Sequence, residues 1–291
     1  MQEILQYLFS GLTNGAIYAV IAVGFSMLYS ATELINFAHG EFVMLGALVL
    51  VTLWGAWQIP LPLAFLLTAA CVALMGLLFE RFAIRTVRKP HPIVLVIITV
   101  GASIFLRGMA MIIWGKDAYS LPPFSNQPPL ELAGATLLIQ SVWIVIISLL
   151  LVFGLHLFYR RTLTGKAMQA TAISKRAAWI TGIPAGLMVL LAFVMSTGIG
   201  AVAGMIIAPV TMCSYDMGTL LGLKGFCAAM LGGIGSLWGS LIGGLLLGVL
   251  EALGVGLISS ALKDAVAFIL LLLILYFRPG GLIGAADSAR F

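Results

Sequence analysis

The chain has 291 residues, of which 62% are apolar and only 9% charged, whereas soluble domains run about 45–50% apolar and about 25% charged. A compact soluble body cannot hide that much hydrocarbon, and disorder, collagen-like repeats, coiled coils and disulfide-stapled domains are excluded by the same figures. The net charge of +5 and the pI near 9.3 fit a membrane chain that keeps Lys and Arg in cytoplasmic loops better than they fit nucleic-acid binding. The expected fold class is an all-α polytopic membrane protein.

Crossing about 30 Å of hydrocarbon takes about 20 apolar residues. The stretch between Glu3 and Glu33 holds no charge and supplies the first span. No basic segment precedes it, so it reads as a permanent span and not a cleaved signal. Phe42 to Phe79 is again free of charge, and Trp54-Gly-Ala-Trp57-Gln-Ile-Pro60-Leu-Pro62 punctuates its middle as an interfacial turn, giving spans two and three. Span four runs from about Ile93 to Trp114 and contains Arg107; span five covers about Leu137 to Tyr159, and span six about Pro184 to Ala208. Three further apolar pieces follow, Met217–Leu231, Ser236–Leu257 and Lys263–Phe277. The first and last are short, so the total is eight or nine.

Charge orients the spans. Arg81, Arg85, Arg88 and Lys89 follow span three, and Arg160, Arg161, Lys166, Lys175 and Arg176 follow span five, so these two loops hold nine of the 15 basic residues and should be cytoplasmic. The loop between them, Lys116 to Leu132, has no basic surplus, contains Pro122, Pro123, Pro128 and Pro129, and should face outward. The N-terminus is then outside. Nine spans put Arg278 and Arg290 inside, as the positive-inside rule prefers; eight would put them outside.

Polar residues inside such a chain are costly and therefore informative. Asn36, His39 and Glu41 cluster between spans one and two. They fit either a broken helix lining a translocation path or a turn in which Asn36 caps the next helix. Gly235, Gly239 and Gly243 recur every fourth residue and would form a smooth helical face for close packing, or less often a pore. Shifting the chain by 197 residues sets His39 against Ser236, Gly46 against Gly243 and Ala47 against Gly244, a faint trace of parallel internal repeats at about residues 4–114 and 184–278. Ala167 to Trp179 consists of helix formers without a breaker, closed by Gly182 and Pro184. A four-turn helix too polar to span would lie along the inner surface, docked to a protein or resting on lipid.

Chemistry is not visible in the chain. Cys71, Cys213 and Cys227 have neither disulfide nor metal-ligand spacing, and His39, His91 and His156 are scattered. No GxxxxGKS/T nucleotide loop, HExxH or GxSxG motif occurs. The chain is not expected to be an enzyme or to hold a cofactor or metal. If ATP powers it, another subunit hydrolyses the ATP.

Several of these stretches together resemble the permease subunits of branched-chain amino acid ABC importers, the LivH type. They are Ile35-Asn-Phe-Ala-His-Gly-Glu41, Glu80-Arg81 with Arg85 and Arg88, Gly165-Lys-Ala167 with Gly182-Ile183, Lys224-Gly-Phe226, Leu231-Gly-Gly-Ile-Gly-Ser236, Lys263-Asp264 and Pro279-Gly-Gly-Leu-Ile-Gly284. The motifs keep the family order across nearly the whole chain.

The resemblance implies a single permease domain with a bundle like that of type II ABC importers, in a bacterial inner membrane. It also implies a paralogous second permease, two cytoplasmic ATP-binding subunits and an external solute-binding protein as partners, besides lipid. Residues 160–184 then resemble an ATPase-coupling segment, with Gly165, Lys166, Ala167, Ala170, Lys175, Arg176, Ala178 and Gly182 as its coupling residues. Where many relatives carry an acidic pair there, this chain has Ile173 and Ser174. Asn36, His39 and Glu41, with Gly232, Gly233, Gly235 and Ser236, resemble matching pieces of two repeats beside the path, and Gly239 and Gly243 are packing positions. The expected function is alternating-access import of aliphatic amino acids. Urea, short amides or other neutral amino acids are alternative cargoes. A stand-alone carrier or channel is the rival of another class, and would need a coupling carboxylate such as Glu251 or Asp264.

Overall fold

The computed structural model describes residues 2–87, 91–125, 127–132, 134–259, 263–278 and 280–283. Arg88, Lys89, Pro279, Gly284 and Arg290, which carry part of the charge pattern and the closing motif, lie outside the described residues. The chain order is α1 (Gln2–Thr32), α2 (His39–Ala56), α3 (Leu61–Ile84), α4 (Pro92–Trp114), β1 (Leu130–Leu132), β2 (Ala135–Leu137), α5 (Ile139–Arg161), α6 (Leu163–Ile173), α7 (Lys175–Ile180), α8 (Ala185–Ile207), α9 (Met217–Gly232), α10 (Leu237–Leu257) and α11 (Lys263–Phe277). The last turns of α2 and α3 are wide π turns.

Among the described residues, α1, α2, α3, α4, α5, α8 and α10 are long and apolar enough to cross a membrane. The two short apolar pieces form α9 and α11, of 16 and 15 residues. At about 1.5 Å per residue neither exceeds about 24 Å, less than the hydrocarbon thickness.

α1 is the axis of the bundle: 72% of its span is buried, against 11% for α4. It runs antiparallel to α10, and small residues on both helices bring the backbones together. A Cβ on Gly11 would stand 2.7 Å from the Val249 Cα, and one on Gly15 2.8 Å from the Leu245 Cα. One on Gly248 would overlap the backbone of Gly15. The contact continues through the Ser26 and Ser240 hydroxyls, 2.5 Å apart, to Ser30, which donates to the Gly235 carbonyl at 2.9 Å. α8 packs beside α2, where Gly46 meets the Ala201 backbone. The outer helices α3, α4 and α5 leave most of their apolar surface uncovered.

Each end of the bundle gathers its own loops. At one end the antiparallel hairpin β1–β2 ties to α1: Gln6 donates from Nε2 to the Thr136 carbonyl at 3.1 Å and accepts from the Thr136 amide at 2.9 Å. There too Tyr119 pairs through its backbone with Cys213. At the other end, Thr32, Glu80, Arg85 and Lys175 border one cleft, so the segments after spans three and five share a side with the end of α1.

Two local expectations are corrected. The single helix expected over Ala167–Trp179 is broken at Ser174, whose extended backbone ends α6 and whose Oγ accepts the Ala177 amide at 3.2 Å to start α7. A serine hydroxyl competes with the helical ladder and is worth more as a cap than in a helix interior. Ser174→Ala should destabilise α7 by about 0.5–2 kcal/mol, read as faster amide exchange confined to residues 175–180. Gly235 lies outside the helical glycine stripe. It sits with Gly233 in the tight turn between α9 and α10, at φ +93° and +105°, a left-handed conformation that glycine adopts without steric cost. Ser236 then caps α10 by accepting the Gly239 amide at 3.0 Å.

Candidate functional site

The break between α1 and α2 is built by a reversal. Glu33 adopts φ +59°, and residues 33–38 turn back so that His39 packs against Gly24 and Phe25, about two turns above the end of α1. α2 therefore begins inside the bundle. The Asn36 Oδ1 accepts the Ala38 amide at 3.1 Å and its carbonyl accepts the His39 amide at 3.0 Å, an Asx turn leading into α2, whose N-cap is Ala38 and has no side-chain cap bond. The His39 ring stands edge-on to Phe25 at 4.6 Å, with Nδ1 3.3 Å from the Ser196 hydroxyl. Asn36 Nδ2, His39 Nε2 and Glu41 Oε2 are buried without a hydrogen-bond partner among the described residues.

A second helix begins at the same depth. α9 starts at Met217, and Gly40 of α2 lies so close to Gly218 and Gly222 that a Cβ on Gly222 would stand 2.8 Å from the Gly40 Cα. Two helix N-termini, each carrying the partial positive charge of its dipole, thus converge on one point. Glu41 occupies it. Its Oε1 accepts from Ser103 Oγ at 2.8 Å and Thr219 Oγ1 at 3.0 Å, and Arg107 donates to the same Thr219 hydroxyl at 3.3 Å. Ser103, Arg107 and Thr219 line a cavity of about 220 Å³ whose apolar wall includes Phe25, Phe37 and Phe226.

Gly232, Gly233, Gly235 and Ser236 lie at the opposite end of α9, about 20 Å along the helix from Thr219. They do not join Asn36, His39 and Glu41 in one cluster. Gly239 and Gly243 pack on α9, against Gly232 and Ala228.

A separate ionic network crosses the core. Lys224 of α9 lies 3.0 Å from Glu251 of α10 and 2.7 Å from Asp264 of α11; the first two side chains are 2% and 1% exposed. Tyr18 donates to Glu251 at 3.2 Å, and Lys263 lies 3.9 Å from it. Glu251 is therefore neutralised in place.

At the loop end, α6 folds back on α5. Gly165 permits this, since a Cβ there would overlap the Phe158 carbonyl and stand 2.7 Å from the Tyr159 Cα, and Thr162 caps the helix by accepting the Gly165 amide at 2.9 Å. Ala178 is buried and Ala167 and Ala170 half-buried, while Lys166, Lys175, Arg176 and Gly182 are exposed. Leu163, Ile173, Trp179 and Ile180 are also exposed, Trp179 at 74%. This apolar and basic surface is unlike an ordinary solvated loop. Sequence reasoning missed Ser103 and Thr219. Arg107 carried a usable signal, as the single charge inside span four.

The family profile described as "Branched-chain amino acid transport system / permease component" matches residues 7–275. The chain is 35% identical to the high-affinity branched-chain amino acid transport system permease protein BraD of Pseudomonas aeruginosa, covering 98% of this chain and 97% of that one. It is 34% identical to the corresponding protein LivH of Escherichia coli K12, with the same coverage. It also resembles a chain of PsaBC from Streptococcus pneumoniae in complex with Fab, at TM-score 0.45 and 12% identity over 96% of this chain and 91% of that one, a likeness too distant to argue from.

Proposed function

Because this chain belongs to the branched-chain amino acid transport permease family, we propose that it is one membrane subunit of an ABC importer that moves branched-chain amino acids into the cytoplasm. The observation that carries this reading is the family match over residues 7–275, together with near-complete coverage of relatives named for that transport. ATP hydrolysis falls to two cytoplasmic subunits, since no nucleotide loop occurs in the sequence. A paralogous second permease and an external solute-binding protein complete the assembly. The N-terminus and the β1–β2 side face outward, and the end bearing α6 and α7 faces the cytoplasm, as the basic residues prefer.

In this reading α6 and α7 couple the bundle to the ATPases. Gly165 anchors the segment on α5, while Leu163, Ile173, Trp179 and Ile180, flanked by Lys166, Lys175 and Arg176, form the contact surface. Ile173 and Ser174, in place of an acidic pair, leave that surface more basic. The rival carrier reading is weakened by Glu251, whose charge is committed to Lys224 and is not free to bind and release a coupling ion.

Proteoliposomes holding this chain with all its partner subunits should take up leucine only when ATP is supplied, and ATP-independent uptake by this chain alone would overturn the assignment. Trp179→Asp should weaken ATPase docking on the order of tenfold or more, as loss of an aromatic interface anchor does. Co-purification of the ATP-binding subunit measures it, with the chain's own thermal midpoint unchanged.

A further inference from the structure

Arg107 is a guanidinium within a membrane-spanning helix, and among the described residues no carboxylate lies within ion-pair distance of it. It donates to the Thr219 hydroxyl at 3.3 Å. Intramembrane arginines are expensive and are normally paired or functional. This one borders the cavity of about 220 Å³ where the N-termini of α2 and α9 meet, with Phe25, Phe37 and Phe226 on the apolar side.

The polar wall is wired in one direction. Glu41 is 1% exposed and sits behind Ser103 and Thr219, both of whose hydroxyls donate to its Oε1. With their protons turned toward Glu41, the oxygen lone pairs are left as acceptors. The second carboxylate oxygen, Oε2, is buried and unpartnered among the described residues, and the missing Cβ of Gly218 leaves room for it, since one there would stand 2.8 Å away. The cavity thus offers a cationic donor, hydroxyl acceptors oriented by the buried Glu41 carboxyl group behind them, and an aromatic apolar wall. A small zwitterion with an aliphatic side chain needs those three surfaces.

We propose that this cavity is a transient substrate site within the permease. Arg107 takes the α-carboxylate, the Ser103 hydroxyl accepts from the α-ammonium, and Phe25, Phe37 and Phe226 receive the side chain. Glu41 is a positioning residue that orients the two hydroxyls. The inference rests on the importer reading above and specifies where in the bundle the amino acid is handed through.

The test measures leucine uptake and ATP hydrolysis together, in proteoliposomes of the intact transporter, for wild type, Arg107→Gln, Arg107→Lys and Ser103→Ala. Arg107→Gln should lower the leucine carried per ATP hydrolysed about tenfold or more, the cost of losing a charged hydrogen-bond partner. Arg107→Lys keeps the charge but not the planar fork and should fall between that variant and wild type. Ser103→Ala should lower the ratio about threefold. A structural defect would lower uptake and hydrolysis together and leave the ratio unmoved. An unchanged ratio in Arg107→Gln overturns the proposal, and if that variant does not assemble, an unchanged ratio in Ser103→Ala does so. A wild-type transporter that carries no amino acid at all would instead overturn the importer reading.

Discussion

Lys224→Met should destabilise the protein by about 3–5 kcal/mol, the range for removing one partner of a buried ion pair. The substitution nearly preserves volume, so the loss is electrostatic. It leaves Glu251, 1% exposed, with the Tyr18 hydroxyl and a Lys263 ammonium 3.9 Å away in place of a contact at 3.0 Å. Asp264 also loses its partner but is half-exposed and can be solvated. Adding Glu251→Met to Lys224→Met should recover most of the loss, because apolar side chains often replace a whole buried pair at little cost. Thermal midpoints of the purified chain in detergent test both. A double variant no more stable than Lys224→Met would show that Lys224 acts through Asp264 or Tyr18, not chiefly through Glu251.

Gly248→Val should separate α1 from α10. Its side chain would occupy the space of the Gly15 backbone, and backbone on both helices cannot rotate aside as a long side chain can. Overpacking a well-fitted contact costs about 1–3 kcal/mol and occasionally more; a backbone-to-backbone seam belongs at the upper end. Gly154→Val on α5, where none of the described residues lies within 4 Å of the added Cβ, is the control and should stay within about 0.5 kcal/mol of wild type. The measurement is the fraction of each variant that elutes as a monodisperse species after mild heating. Equal behaviour of the two variants would mean that α1 and α10 tolerate a wider separation than their glycines suggest.

The transmembrane segments were legible because their physical cause is local. The charge-free run from Phe42 to Phe79, punctuated at Trp54–Pro62, becomes α2 ending at Ala56 and α3 beginning at Leu61. Span four, read as about Ile93–Trp114, is Pro92–Trp114, and the last apolar piece matches α11 from Lys263 to Phe277. Ser174 was misread because propensity averages a residue over all contexts, and its value as a cap depends on the turn it happens to start.

The candidate site was legible in part. Asn36, His39 and Glu41 stood out as polar groups in an apolar chain. Glu41 is held, however, by Ser103 and Thr219, 62 and 178 positions away, and no periodicity within a window reports such a meeting. The depth at which α2 begins depends on the reversal at Glu33, a non-glycine residue at positive φ that composition gives no reason to expect. Lys224 stood out only within a motif, and Glu251 and Asp264 as candidate coupling carboxylates. Their pairing depends on how three helices pack and was not read from the sequence.

The seam between α1 and α10 also sets a schedule for biogenesis. Of the described helices, α1 leaves the ribosome ahead of the others and is the span most completely enclosed at the end, and the partner for its glycine face is α10. At synthesis rates of about 5–20 residues per second, roughly 10–50 s pass between the emergence of Gly15 and of Gly248. Throughout that interval α1 shows lipid and insertion machinery a grooved face on which the Ser26 hydroxyl lacks its partner on α10. Nascent chains stalled before α10 are accordingly the forms that membrane quality control should recognise and remove.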